Sequence, residues 1–135
     1  MKHFVLVLIA FLFVMSCSND DNPTVNQPEL VGNWKLIAIY SDPGDGSGDF
    51  FSVESDKMIQ FTANGMISSN ANLCLLFSES GEPSTGTYSE TESTISILDC
   101  QTMPYSSSFE IISSNLIISY PCIEGCQEKY IKLLE

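Results

Sequence analysis

The side chains able to do chemistry in this chain are cysteines and carboxylates. The only histidine is His3, and the five basic residues are all lysines, so no arginine is present. Without histidine beyond residue 3 there is no base for Ser-His-Asp or Cys-His nucleophilic catalysis. Histidine-held zinc and the two-pronged arginine clamp for phosphate or carboxylate ligands are excluded on the same ground. Paired carboxylates of the glycosidase type remain open on paper. The acidic residues, however, fall mostly in Ser/Gly/Asn-rich turns, where solvated charge is the ordinary role. The expectation is a protein that is not an enzyme and carries neither cofactor nor metal.

Besides Cys17 the chain has Cys74, Cys100, Cys122 and Cys126. An even set in an exported domain points to two disulfides, and three pairings can be written. Cys122-Ile-Glu-Gly-Cys126 is a tight loop with a glycine inside it, between two predicted strands. A local bridge fits there, which leaves Cys74 with Cys100. A four-cysteine zinc site competes, but it needs reduced thiolates, and the apolar leader Phe4–Met15, which suits a secretory signal, argues against them. The run Asp42-Pro-Gly-Asp45-Gly-Ser-Gly-Asp49 could offer oxygen ligands to Ca²⁺. Its order does not match an EF-hand loop, and no glutamate follows at the bidentate position. A solvated loop between strands is the expectation; were the strands to close into a barrel, it could also serve as a lid over the open mouth.

Seventeen acidic residues against five basic ones give a net charge of −12. Such a charge repels nucleic-acid phosphates and anionic lipid head groups, and keeps an exposed protein soluble. It excludes a nucleic-acid partner and leaves any protein partner unidentified.

The elements that position these groups begin with the start of the chain. Lys2 and His3 precede an unbroken apolar run, Phe4 to Met15. A spanning helix needs about 20 residues, so the run suits the core of a secretory signal. Val14-Met15-Ser16-Cys17 resembles a lipobox, the site at which bacterial lipoproteins are acylated on cysteine and cleaved before it. The resemblance implies a signal peptide over residues 1–16 and an acyl anchor, palmitate or its kin, on Cys17. The membrane would then be a partner through that lipid. Ser18-Asn19-Asp20-Asp21 resembles the surface-export signal of Bacteroidetes-type lipoproteins, which implies an outer-membrane location on its periplasmic or cell-surface face. Residues 17–28 read as a polar tether with two prolines, and 29–135 as one domain.

That domain reads as strands and turns. Gly32–Tyr40, Lys57–Phe61, Met66–Ser69, Leu73–Phe77, Gly86–Ser89, Thr94–Leu98, Ser107–Ile112, Asn115–Tyr120 and Lys129–Leu134 are the candidates. Asn64-Gly65 is a strong turn signal, because both residues tolerate positive φ. Ile59/Phe61, Ile95/Ile97 and Phe109/Ile111 alternate with polar neighbours at period two. Ile117 breaks that alternation within Leu116, Ile118 and Tyr120. Short turns without a helical crossover predict an all-β antiparallel meander of about eight strands, stacked as a sandwich or closed as a barrel.

Gly32-Asn33-Trp34 at the start of the first strand, Ile59 to Gly65, and Lys129-Tyr-Ile-Lys-Leu133 together resemble the lipocalin-like domain lipoproteins of Bacteroidetes. The resemblance covers residues 29–135 and implies a barrel with Gly32 and Trp34 at its closed end. In that family an arginine packs over the tryptophan; here Lys129 or Lys132 must take its place. The resemblance also implies a barrel that holds a small apolar or amphipathic ligand. The alternative is a filled-core structural or interaction protein of the cell envelope. Interior volume decides between them: if Trp34, Phe61, Tyr88, Phe109 and Tyr120 fill the barrel, nothing is left to bind.

Overall fold

The computed structural model describes residues 29–74, 76–77, 79–98, 100 and 106–134; the expected signal peptide, Cys17 and the expected tether lie outside them. Nine strands form one sheet: β1 (Gly32–Ser41), β2 (Asp49–Ser52), β3 (Met58–Phe61), β4 (Met66–Ala71), β5 (Ser80–Ser89), β6 (Thr94–Ile97), β7 (Ser106–Ile112), β8 (Asn115–Ser119) and β9 (Gln127–Lys132). All pairings are antiparallel, and β9 returns to pair with β1. Eight strands therefore close an up-and-down barrel, the arrangement lipocalins also use, and closure satisfies the edges of the meander.

The period-two pattern sets which way each side chain points. Ile59 and Phe61, Ile67 and Ala71, Ile95 and Ile97, and Leu116 and Ile118 are buried, whereas Gln60, Asn70, Ser96 and Glu110 between or beside them are exposed. An apolar interior with a polar outer wall is the reverse of a lipid-facing barrel. The β3–β4 hairpin turns through Asn64-Gly65, with Gly65 at φ +81°. The β7–β8 hairpin turns on Ser113 and Ser114, both at positive φ (50° and 64°), as a two-residue turn matched to strand twist requires.

β2 was not expected from the sequence. It pairs with the distal half of β1 (Ala38↔Ser52, Tyr40↔Phe50), while β3 pairs with the proximal half (Gly32↔Phe61, Lys35↔Met58). β2 and β3 thus run along the same edge of β1, separated by a jog of three extra residues. The jog is pinned at both ends: Val53 N–H donates to Ile37 O (2.9 Å), and Leu36 N–H donates to Lys57 O (3.1 Å). In the other direction, Leu73–Phe77 was expected to be a strand, and its described residues form turns instead. Two local causes are visible. The Asn72 side chain accepts the Cys74 N–H at 2.8 Å, an Asx-type turn, and Phe77 sits at φ +60°, which ends any extended run.

One end of the barrel is closed by Trp34, 1 % exposed, whose Nε1–H donates to Leu30 O at 2.8 Å. Lys132, not Lys129, takes the expected place against the indole: its Nζ lies 5.6 Å from the ring and donates to Glu29 O at 2.7 Å. Gly32 allows this approach. Its φ is +136°, and a Cβ there would stand 2.8 Å from Lys132 Cε.

Trp34 is the only tryptophan, so its fluorescence reports this end alone. The native protein should emit at short wavelength, resist a soluble quencher and shift to the red on unfolding. Trp34→Ala should cost about 3–5 kcal/mol in denaturant unfolding, as for a large core truncation. Native emission that is already red and freely quenched would contradict the closed end described here.

Candidate functional site

At the opposite end the barrel holds a charged pair. Lys57 precedes β3, Glu128 is the second residue of β9, and both side chains are 0 % exposed. Lys57 keeps the inward parity of Ile59 and Phe61, and Glu128 that of Tyr130. Lys57 Nζ donates to Glu128 Oε1 and Oε2, each at 3.0 Å. Three further donors converge on the same carboxylate: Tyr120 Oη to Oε2 (2.6 Å), Tyr130 Oη to Oε2 (2.5 Å) and the Phe77 amide to Oε1 (3.1 Å). Every buried polar side-chain atom among the described residues has a hydrogen-bond partner. Burial lowers the Lys57 pKa, and the neighbouring Glu128 charge opposes that shift. Burial raises the Tyr130 pKa well above that of an ordinary phenol, and the nearby Tyr120 and Glu128 add to the rise.

The cluster gives a substrate no access. Five donor contacts occupy the carboxylate oxygens, and no atom of the pair reaches solvent. Its chemistry is structural: a charge buried in low dielectric is tolerable only with a partner and a full set of hydrogen bonds. The sequence reading missed Lys57 and Glu128 as site residues, although the period-two register of their strands places both inside.

The rest of the interior is largely apolar and occupied, with Ser69, Ser84 and Ser107 the other buried polar residues among those described. Trp34, Phe61, Tyr130, Ile59, Ile67, Leu116 and Ile118 are all less than 3 % exposed, with Phe109 and Tyr120 beside them. Tyr88 is half-buried; its ring meets Phe61 edge-on at 5.0 Å, and its hydroxyl donates to Thr62 O at 2.7 Å. The space between Leu73, Ile95, Ile97, Ser107, Ile118 and Tyr120 measures about 10 Å³. That is at the lower limit for a single water.

Two larger depressions lie elsewhere. A furrow of about 260 Å³ on the outer wall is lined by Phe50, Glu110, Ile112, Ile117 and Lys129, among others. It accounts for the broken alternation in β8: Ile117 faces outward yet is only 5 % exposed. Lys129 Nζ lies 3.8 Å from the Phe50 ring centroid, a cation–π contact across this furrow. A pit of about 200 Å³ lies between the β2–β3 jog and the β4–β5 loop.

The expected disulfides are both present, Cys74–Cys100 (Cα–Cα 5.5 Å) and Cys122–Cys126 (6.2 Å). In the Asp42–Asp49 loop the carboxylates bind their own chain. Asp42 Oδ1 accepts from Gly44 N–H (2.8 Å) and Gly46 N–H (3.2 Å), and Asp45 Oδ1 from Ser47 N–H (3.0 Å) and Oγ–H (2.5 Å). The hydrogen bonds from Ser47 lower the Asp45 pKa. Among the described residues no group of three or more His, Cys, Asp or Glu side chains could hold a metal ion.

Fold and site together define an up-and-down barrel whose interior is a packed core with a buried ion pair near its mouth. Compared with models of protein families, with curated proteins and with solved structures, the chain matches none.

Removing one partner of the pair leaves the other charged and buried without its countercharge. Lys57→Met and Glu128→Gln should each destabilise the fold by about 3–5 kcal/mol, measured as unfolding midpoints in urea. Lys57→Met/Glu128→Leu should cost clearly less than the sum of the two. Near-neutral single replacements would show that the pair is not buried as described.

Proposed function

We propose that the chain is an exported lipoprotein, anchored to the outer membrane through lipid on Cys17, whose lipocalin-like barrel serves as a filled structural or interaction module of the cell envelope. The observation that carries the second half is the occupied interior. A barrel of eight strands is just wide enough either to be filled by side chains or to hold one small ligand. Here Trp34, Phe61, Tyr130 and the Lys57–Glu128 pair take up the room that a ligand would need. Of the two readings the sequence leaves open, this favours the filled core over a small apolar ligand held inside. The work then falls to the outside of the barrel, where the furrow under Phe50 and the acidic loops meet solvent or a partner.

Support for the anchor comes from the sequence: the apolar run Phe4–Met15 followed by Ser16-Cys17, and the polar tether to residue 28. Periplasmic and cell-surface placement are equally compatible with the net charge of −12.

Native mass spectrometry of the protein purified from the membranes of its own host tests both halves. The expected species is the chain from Cys17 onward plus acyl mass, with no tightly held apolar molecule. Cys17→Ala should leave the membrane fraction. An unprocessed N-terminus would overturn the anchor, and a stoichiometric apolar ligand that survives purification would overturn the filled core.

A further inference from the structure

The pit at the barrel mouth has a composition that neither the core nor the anchor explains. Leu36, Ile39, Val53 and Phe77 give it apolar walls, and Glu54 and Glu79 place two exposed carboxylates on its rim. No lysine lines it. The nearest in sequence, Lys57, turns inward and spends its charge on Glu128. Phe77 is the unusual member. Its φ of +60° is costly for a bulky residue, yet its amide is fixed to Glu128 at 3.1 Å. The buried pair therefore holds the Phe77 backbone in place, while the ring remains 46 % exposed. An aromatic face, an apolar wall and two unneutralised carboxylates meet in one concavity.

We propose that this pit binds a compact organic cation: an amine or quaternary ammonium group carrying an apolar body. The apolar part leaves water against Leu36, Ile39 and Val53. The cation is attracted by the carboxylates of Glu54 and Glu79 and by the face of Phe77. The net charge of −12 raises the local concentration of any such cation. An anionic ligand of the same shape meets the same carboxylates as repulsion, and a neutral one gains only the apolar contact. Because the site is open and partly electrostatic, its occupant exchanges freely and weakens with salt. It is distinct from a molecule trapped in the barrel, and it does not depend on membrane anchoring.

The probe is benzyltrimethylammonium, titrated calorimetrically into the protein as the cell makes it, held in nanodiscs of digalactosyldiacylglycerol, a neutral lipid without an ammonium headgroup, with empty nanodiscs as the background. The controls are neopentylbenzene, its neutral isostere, and phenylacetate. The expected result is saturable one-to-one binding of the cation that weakens with added salt. Glu54→Gln/Glu79→Gln, two exposed changes that should leave the Trp34 unfolding transition in place, should reduce the affinity at least tenfold. Phe77→Leu should reduce it several-fold, and phenylacetate should not bind. No saturable heat above empty nanodiscs overturns the proposal. So does equal affinity for the neutral isostere, or cation binding that the double glutamine variant leaves unchanged.

Discussion

A lysine and a glutamate buried together set the terms for the rest of this barrel. Taking either charge out of water alone costs several kcal/mol, and their mutual attraction offsets that only if every remaining lone pair and proton is used. The structure meets the condition from four places at once. The jog between β2 and β3 brings Lys57 to the inner wall, β9 supplies Glu128 and Tyr130, the end of β8 supplies Tyr120, and the β4–β5 loop supplies the Phe77 amide. Each of these elements is thereby fixed relative to the others. Among the described residues the cluster fills the interior beneath the mouth, and the space beside Tyr120 measures about 10 Å³.

The two ends of the barrel use different physics. At one end the indole of Trp34 fills the opening, and Lys132 and the Glu29–Leu30 turn cover it. At the other, loops rather than a large apolar side chain surround the polar cluster, and both disulfides lie there. Cys74–Cys100 ties down the loop that carries Phe77, and Cys122–Cys126 closes the connection between Tyr120 and Glu128. In the chain-entropy view, a bridge spanning 26 residues stabilises by about 3.5 kcal/mol. Here its further effect is local, because it restricts the segment whose backbone completes the Glu128 hydrogen bonds.

Much of this was legible in the sequence, because a strand's inward and outward positions follow from a period of two. The β3–β4 and β7–β8 hairpins, the burial of Ile59, Phe61, Ile95 and Phe109 and the two disulfides follow from local pattern, spacing and turn chemistry, whereas the closed end at Trp34 was implied only by the resemblance of Gly32-Asn33-Trp34 to lipocalin-like domains. The same parity puts Lys57 and Glu128 inside, but a charged residue on an inward position is readily taken for the frayed end of a strand. Only the three-dimensional meeting of two positions 71 residues apart shows why they are tolerated. β2 escaped notice because Asp49-Phe50-Phe51-Ser52 is short and follows a glycine-rich loop; its pairing depends on β1 being long enough to serve two partners. Leu73–Phe77 misled in the opposite sense: an apolar run with a cysteine in it looks like a strand, and neither the Asn72 turn nor the left-handed Phe77 that interrupts it leaves a mark in the apolar pattern. Ile117, the one break in β8, recorded the outer furrow rather than a fault in the pattern.

A barrel interior filled by side chains gives xenon nowhere to enter, because the gas occupies dry apolar cavities and is excluded from packed cores. Xenon pressure should produce no saturable change in the methyl resonances of Leu73, Ile95, Ile97 and Ile118, which surround the space of about 10 Å³. Saturable shifts at those methyl groups would reveal a cavity large enough to hold a guest and would contradict the filled interior.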